Sequence, residues 1–235
     1  MKIDWQKTIE QFRGRWGVGG IDLSSVDDLT CAVYMIPDEE DRQQVDIIMR
    51  TWCPEHKIHD KKNKYRNLYQ AWEREGWIHT TEGNAIDYDF VRREIVKDAK
   101  VISLGLIGVD RAFDGVGFSI ALQKDLGHTE KNPIVITCTN HPSKIGPICQ
   151  ELERRYLERK LNHGGNPILR FMIDSVAVRE DADGNKKPDK DKSQGKIDGV
   201  ISMLYALDRL MRSNPQVSAY KGLSKEEIIK RLRGE

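Results

Sequence analysis

Residues 20–37, GIDLSSVDDLTCAVYMIP, are the stretch that decides the fold. Residues 20–24 and 29–36 are apolar runs of strand length, and the polar segment 24–28 between them is typical of a turn. Residues 45–52 form a third apolar run, after a polar turn at 37–42. Three consecutive strands with short connections predict an antiparallel meander, and Asp22 lies within its first strand.

The rest of the chain predicts alternating helices and strands. Apolar side chains at helical spacing predict helices at 65–76, 88–100, 117–126, 145–161, 197–211 and 224–233, with Ser193 as a helix N-cap. Continuous apolar runs predict buried strands at 101–109, 134–139 and 168–178, and residues 182–185 predict a hairpin turn. We therefore predict an α/β, RNase H-like fold. Its central mixed β-sheet, an antiparallel meander plus parallel strands, is flanked by helices and brings together acids from the first strand, the fourth strand and a later helix.

The domain organisation follows from the same reading. Residues 1–16 are mixed in character and end in a glycine-rich segment, so we predict an N-terminal lead-in or linker. Residues 17–235 are long enough for one domain with a substantial core, and they contain no internal repeat.

The composition excludes several classes of protein. Charged residues make up 32% and hydrophobic residues 38% of the 235, which is typical of a globular chain and not of a disordered one. The formal net charge of +1 gives no overall attraction to nucleic acid, so any affinity for DNA must come from a local patch. The four cysteines form no CxxC pair and no apolar run has membrane-spanning length, which favours an intracellular setting without a membrane partner.

Three aspartates occupy comparable places in this pattern. Asp22 lies in GIDLSS, Asp110 ends the apolar run LIGVD, and Asp198 lies in GKIDGV, where the apolar helix begins. A lone carboxylate is not buried without a partner because its desolvation is too costly. Carboxylates gathered at one end of a sheet repel one another unless a cation, usually a divalent metal ion, lies between them. The pattern therefore predicts metal-assisted phosphoryl chemistry.

At these residues the chain resembles the C-terminal nuclease domain of the terminase large subunit, the DNA-packaging motor of tailed bacteriophages. The resemblance covers nearly the whole chain. Its most specific stretches are GIDLSSVDDLTCAVYMIPDE (20–39), WxxEGWIHTTEGNAIDYDFV (72–91), HGGNPILRFMIDSVAVREDADGNKKPDK (163–190) and KSQGKIDGVISMLYAL (192–207). The sequence departs from the family after Asp110, where Arg111 and Ala112 stand in place of the usual Pro-Trp. No GxxxxGK[ST] motif occurs, so we expect the family's ATPase half to be absent from this chain.

The resemblance implies a metal-dependent endonuclease that cleaves double-stranded, concatemeric viral DNA during genome packaging. Two Mg²⁺ or Mn²⁺ ions would support phosphodiester hydrolysis. Asp22 would bridge the ions, Asp110 would hold one and Asp198 the other, with Asp28 as a candidate fourth, outer ligand. The implied partners are double-stranded DNA, a terminase small subunit, a portal and the protein's own ATPase domain, in the cytoplasm of the host bacterium.

A basic run follows the predicted hairpin turn. It consists of Lys186, Lys187, Lys190, Lys192 and Lys196. Lysines neutralise phosphates without reading base sequence, so the run predicts contacts with the DNA backbone. A solvated charged loop explains the run equally well.

Two alternative functions stay open at this point. The same fold and acids are compatible with another RNase H-like nuclease, such as a junction resolvase. A non-catalytic module that binds DNA or the portal of a packaging motor would also carry the basic run.

Overall fold

The computed structural model describes residues 2–24, 29–112 and 114–213. In this part of the chain a seven-stranded sheet has the strand order β4-β3-β2-β1-β5-β6, with β7 also paired to β3. A separate hairpin consists of β8 and β9. Asp28 and the predicted helix at 224–233 lie outside the described residues.

The strands are β1 (Trp16–Asp22), β2 (Thr30–Pro37), β3 (Val45–Pro54), β4 (Ile78–Thr81), β5 (Ser103–Asp110), β6 (Val135–Cys138), β7 (Leu161–Asn162), β8 (Ala177–Glu180) and β9 (Lys186–Asp189). The helices are α1 (Trp5–Glu10), α2 (Glu55–His59), α3 (Arg66–Arg74), α4 (Tyr88–Ala99), α5 (Gly115–Asp125), α6 (Pro142–Leu157), α7 (Pro167–Ser175) and α8 (Asp198–Arg212).

The predicted meander is confirmed, and it places β1 at the centre of the sheet. β1 pairs antiparallel with β2, and β2 pairs antiparallel with β3. On its other side β1 runs parallel to β5, which in turn runs parallel to β6. The carboxyl ends of β1, β5 and β6 therefore lie at one edge of the sheet, so Asp22 and Asp110 end neighbouring strands.

Both faces of the sheet are buried, which explains why its strands are almost continuously apolar. Alternate side chains of β2 enter opposite cores: Cys31 and Val33 face the side covered by α8, whereas Ala32 and Tyr34 face the side covered by α4 and α5. The result is a three-layer arrangement that agrees with the predicted RNase H-like α/β fold.

Helix α8 packs directly on the sheet next to the carboxyl ends of these strands. Its residues from Asp198 to Arg209 are all buried. The approach is close at Gly20 of β1, where a Cβ atom would come within 2.0 Å of the Ser202 carbonyl oxygen. Only glycine fits there, and this contact fixes the position of the amino end of α8 relative to Asp22.

The predicted strand at 168–178 is wrong, because residues 167–175 form helix α7. Asn166 caps this helix, its side chain accepting hydrogen bonds from the backbone N–H groups of Ile168 and Leu169, and Pro167 occupies the first turn. The buried side chains Ile168, Leu169 and Met172 share one helical face. An apolar run that is buried in a helix cannot be distinguished from a buried strand by periodicity alone.

One further expectation needs correction. Ser193 does not cap α8: its hydroxyl donates to the carbonyl of Asp189, and the N-cap position of α8 is Ile197. The segment predicted as a lead-in contains α1, and Trp16 already belongs to β1. The Trp5 indole N–H donates to the Gly76 carbonyl at 2.8 Å, so this segment packs on the sheet domain. The domain boundary at residues 16 and 17 stays a prediction.

None of the helices in the described part of the chain combines the length and hydrophobicity that a bilayer crossing requires.

Four elements position the candidate site: the ends of β1 and β5, the start of α8 and the β8–β9 hairpin.

Candidate functional site

Asp22, Asp110 and Asp198 lie together at the carboxyl edge of the sheet. Asp22 is the last residue of β1, Asp110 the last of β5 and Asp198 the first of α8. Their exposed fractions are 2%, 7% and 2%. Asp110 stands on the fifth strand of the chain and not on the predicted fourth, because the short strand β4 precedes it.

Ser202 connects two of these aspartates. Its hydroxyl oxygen accepts a hydrogen bond from the backbone N–H of Asp22 at 3.1 Å. The same oxygen lies 2.9 Å from the carbonyl of Asp198 and 3.0 Å from that of Cys31, either of which can accept its proton. One buried side chain thus ties the ends of β1 and β2 to the first turn of α8.

Asp110 is oriented by groups that follow it in the chain and on the next strand. The Ala112 backbone N–H donates to its Oδ1 at 3.0 Å, and the Asn140 amide lies 3.5 Å from its Oδ2. Tyr205 of α8 lies nearby: burial raises the pKa of its phenol, and the charges of Asp110 and Asp22 raise this pKa further. The surroundings of Asp110 are therefore polar on the strand side and closed by α8 on the other.

Lys190 lies between two of the aspartates. Its Nζ is 3.3 Å from Asp22 Oδ2 and 3.2 Å from Asp198 Oδ1. Lys190 directly follows β9, so the hairpin brings this ammonium to the edge of the sheet. The basic run thus reaches the acidic site itself.

The electrostatics show how unfavourable three buried carboxylates are. Burial raises the pKa of Asp22 well above its ordinary value, Lys190 opposes this, and the charges of Asp198 and Asp110 add to the increase. Burial by itself would lower the pKa of Lys190, but the two carboxylates hold it above its ordinary value. The site therefore requires positive charge in order to keep Asp22 ionised.

The residues fit a hard divalent cation by the chemistry of their donors. Buried carboxylate oxygens are the ligands that Mg²⁺ and Mn²⁺ prefer, and a cationic group already lies between Asp22 and Asp198. Within the described ranges, no three histidine, cysteine, aspartate or glutamate side chains form a ready-made metal-binding group. Asp22, Asp110 and Asp198 would therefore hold an ion only after their side chains turn towards it.

The other lysines of the basic run are dispersed around the site. Lys186 pairs with Glu153 of α6 at 3.2 Å, and the Lys187 Nζ lies 3.4 Å from the Asn140 carbonyl oxygen. Lys192 is exposed and Lys196 is half-buried. A cleft of about 200 Å³ opens beside Lys190, with Asn140, Arg179, Lys187 and Lys190 among the residues in its walls.

Three residues of this site were missed from the sequence. Ser202 stands four positions after Asp198 in an otherwise apolar helix, and this spacing was the available signal. Asn140 lies two residues after β6. Because β6 runs parallel to β5, its carboxyl end lies beside Asp110, and a polar residue just after a predicted parallel strand was the available signal. Tyr205 gave no sequence signal that separates it from a core aromatic residue.

The chain is similar to known proteins over most of its length. The family described as "Terminase large subunit, endonuclease domain" matches residues 2–214. The terminase large subunit of Enterobacteria phage HK97 is 31% identical over 196 residues, which is 80% of this chain and 36% of that protein. The crystal structure of the HK97 large terminase superimposes with a TM-score of 0.73 at 26% identity, covering 86% of this chain and 42% of that one.

A more distant structure shares the fold. The large terminase nuclease of the thermophilic phage G20c, solved with bound magnesium, has a TM-score of 0.50 at 10% identity and covers 83% of this chain and 82% of that one. The chain spans less than half of the length of the HK97 protein, so the activities of that whole protein do not transfer to it directly.

Proposed function

Because the chain belongs to the family of terminase large-subunit endonuclease domains, we propose that it hydrolyses phosphodiester bonds of double-stranded viral DNA during genome packaging, with the help of divalent metal ions. The observation that carries the proposal is the burial of Asp22, Asp110 and Asp198 at one edge of the sheet, two of them against a single ammonium group. A structural role alone would not require three buried acids at one edge.

The roles of the acids follow from their positions. Asp22 ends the central strand and lies close enough to Asp110 and Asp198 for both charges to raise its pKa, so we assign it as the bridging ligand. Asp110 and Asp198 would hold one ion each. Asp28 stays a candidate outer ligand from the sequence alone. When bound, two Mg²⁺ or Mn²⁺ ions supply activation of water and stabilisation of the leaving oxygen.

The other residues of the site position these ligands and the substrate. Ser202 holds the backbone of Asp22 against the first turn of α8, and Asn140 lies at the second oxygen of Asp110. Lys186, Lys187, Lys190, Lys192 and Lys196 are proposed to bind DNA phosphates. Phosphate contacts of this kind fix the register of the duplex without selecting a base sequence, which suits a nuclease with little sequence specificity of its own.

The alternatives from the sequence are less well supported. Membership of the terminase family favours packaging over a junction-resolvase role. A purely DNA-binding or portal-binding module would not need its acids buried around a cation site, since buried carboxylates destabilise a fold unless they are neutralised. The ATPase domain, small subunit, portal and host cytoplasm are proposed from the family and from the likeness to the HK97 large subunit.

Nicking and linearisation of supercoiled plasmid test the proposal. We expect cutting with Mn²⁺ or Mg²⁺, none with EDTA, and none by Asp22→Asn or Asp198→Asn, because each variant removes a ligand charge. Asp183→Asn, an exposed aspartate of the hairpin turn, is the matched control and should cut like wild type. Cutting by Asp198→Asn at the wild-type rate would exclude this site, and folded wild type that never cuts would favour the binding module.

A further inference from the structure

Lys190 makes a contact that a DNA-binding lysine does not need. Its ammonium lies 3.3 Å from Asp22 Oδ2 and 3.2 Å from Asp198 Oδ1, while its side chain keeps 47% of its surface exposed. The two carboxylates are almost completely buried, with side-chain exposures of 3% and 4%. A solvent-accessible cation therefore closes the exposed side of a buried acidic pair.

A hydrogen-bonded turn holds Lys190 at this place. The carboxylate of Asp189 accepts hydrogen bonds from the backbone N–H groups of Asp191 and Lys192 at 3.1 and 3.3 Å. The backbone N–H of Ser193 donates to the Asp189 carbonyl, and the Ser193 hydroxyl oxygen accepts from the Ala177 N–H of β8 at 3.0 Å. The turn is thus anchored to the hairpin on both sides, and the side chain of Lys190 extends from a fixed base.

We infer that Lys190 competes with the metal ion for the carboxylates of Asp22 and Asp198, and thereby sets the metal concentration at which the site fills. This inference rests on the proposed function, because it concerns the same site. A divalent ion and an ammonium group cannot share these oxygens, since two cations at contact distance in a weakly screened site repel each other strongly. Metal binding thus requires Lys190 to leave the acids.

The geometry makes such a departure feasible. The Lys190 side chain is 47% exposed and lies at the mouth of a cleft, so its ammonium can turn away from the acids towards solvent. The backbone of the acids cannot move in the same way, because Ser202 links the backbone N–H of Asp22 to the start of α8, so only the carboxylate groups can turn. The lysine is therefore the mobile member of the pair, and the site holds its own counterion in place until a metal ion replaces it.

Calorimetric titration of the folded protein with Mn²⁺, without DNA, tests the competition. If the ammonium occupies the acids about 90% of the time, removing it raises the apparent metal affinity about tenfold. We expect this gain in Lys190→Met and Lys190→Gln but not in Lys190→Arg, which keeps a cation of similar reach. Lys144→Met, which removes an exposed lysine of α6, is the matched control and should bind Mn²⁺ like wild type.

Thermal unfolding gives a second measurement on the same variants. Without metal, Lys190→Met should unfold at a lower temperature than wild type, because two buried carboxylates lose the ammonium group that contacts both of them. Adding Mn²⁺ should then raise its unfolding temperature more than that of wild type, because tighter ligand binding stabilises the folded state more.

The outcomes separate this inference from the function on which it rests. Equal or weaker Mn²⁺ binding by both folded neutral variants, with Asp198→Asn abolishing binding in all backgrounds, would overturn the competition and leave the metal site intact. Binding of Mn²⁺ that Asp198→Asn does not weaken would overturn the site itself and the inference with it.

Discussion

Substituting alanine for Gly20 tests whether the contact between β1 and α8 sets the geometry of the acids. The new Cβ would lie 2.0 Å from the Ser202 carbonyl oxygen and 2.4 Å from the Ala206 backbone nitrogen. Both are backbone atoms, so no side-chain rotation relieves the overlap. A carbon–oxygen contact normally requires about 3.3 Å, and the helix would therefore have to retreat by about 1.3 Å.

This retreat would separate the residues of the site. Asp22 follows Gly20 by two positions on β1, whereas Asp198 and Ser202 belong to α8. A displacement of about 1 Å in a catalytic constellation costs about a hundredfold in rate, and forced overpacking of a core costs about 1–3 kcal/mol in the free energy of unfolding. We therefore expect Gly20→Ala to lose about a hundredfold in cleavage rate and about 1–3 kcal/mol in the free energy of unfolding.

Two assays test this: the initial rate of plasmid nicking in Mn²⁺, and the urea concentration at the midpoint of unfolding. The midpoint reports stability if the dependence of the unfolding free energy on urea concentration is the same in both proteins. Gly19→Ala is the matched control. The Cβ at Gly19 would point to the face of β1 opposite α8 and would lie 3.3 Å from side-chain atoms of Ile107 on β5. The stability of this variant should change by less than about 1 kcal/mol, because that side chain can adjust. Gly20→Ala with wild-type stability and rate would refute the packing argument. A lost rate in Gly19→Ala would show that the loss does not depend on the face of β1 that packs on α8.

Three further predictions concern single residues elsewhere in the fold. Ser202→Ala leaves the backbone N–H of Asp22 without its acceptor, so the free energy of unfolding should fall by about 1–3 kcal/mol in urea titrations, with a parallel loss of nicking rate. Desolvation of the half-buried His79 ring lowers its pKa from 6.5 to about 4, so in that interval the unfolded chain binds more protons and stability falls as the pH drops. His79→Phe should abolish about 2 kcal/mol of the wild-type difference in unfolding free energy between pH 7 and pH 5; an unchanged difference would contradict the assignment. Asn166→Ala removes the cap of α7 and should cost about 1–2 kcal/mol in urea unfolding. Asn166→Asp keeps the cap acceptor but should also lose stability, because the buried Asn166 amide donates to the Met49 carbonyl at 3.2 Å and a carboxylate cannot.

The sheet could be predicted because its information is local. The meander follows from apolar runs separated by polar turns, and the parallel strand β5 follows from an uninterrupted apolar run. The position of Asp110 also followed, because it ends the apolar run that forms β5. The short strands β4 and β7 were missed, since four and two residues carry too little periodicity.

The failure at α7 has a different cause. Residues 168–178 are mostly apolar, and a helix buried by its neighbours satisfies this pattern as well as a strand does. The capping signal was present as Asn166 followed by Pro167, a side-chain acceptor before a residue whose φ is already helical. Terminal signals therefore carried the discriminating information where periodicity did not.

Lys190 marks the limit of what the sequence could predict about the site. Five lysines in an eleven-residue interval all predict the same interaction with phosphate, because composition does not distinguish between their positions. The structure distinguishes them: Lys186 pairs with Glu153, Lys187 reaches a backbone carbonyl, and Lys190 alone of these three contacts two of the aspartates. That difference arises from how β9 of the hairpin packs against α6, a tertiary feature with no local signature. A charged run next to an acidic site should therefore be interpreted residue by residue, since one of its members can be the counterion on which the site depends.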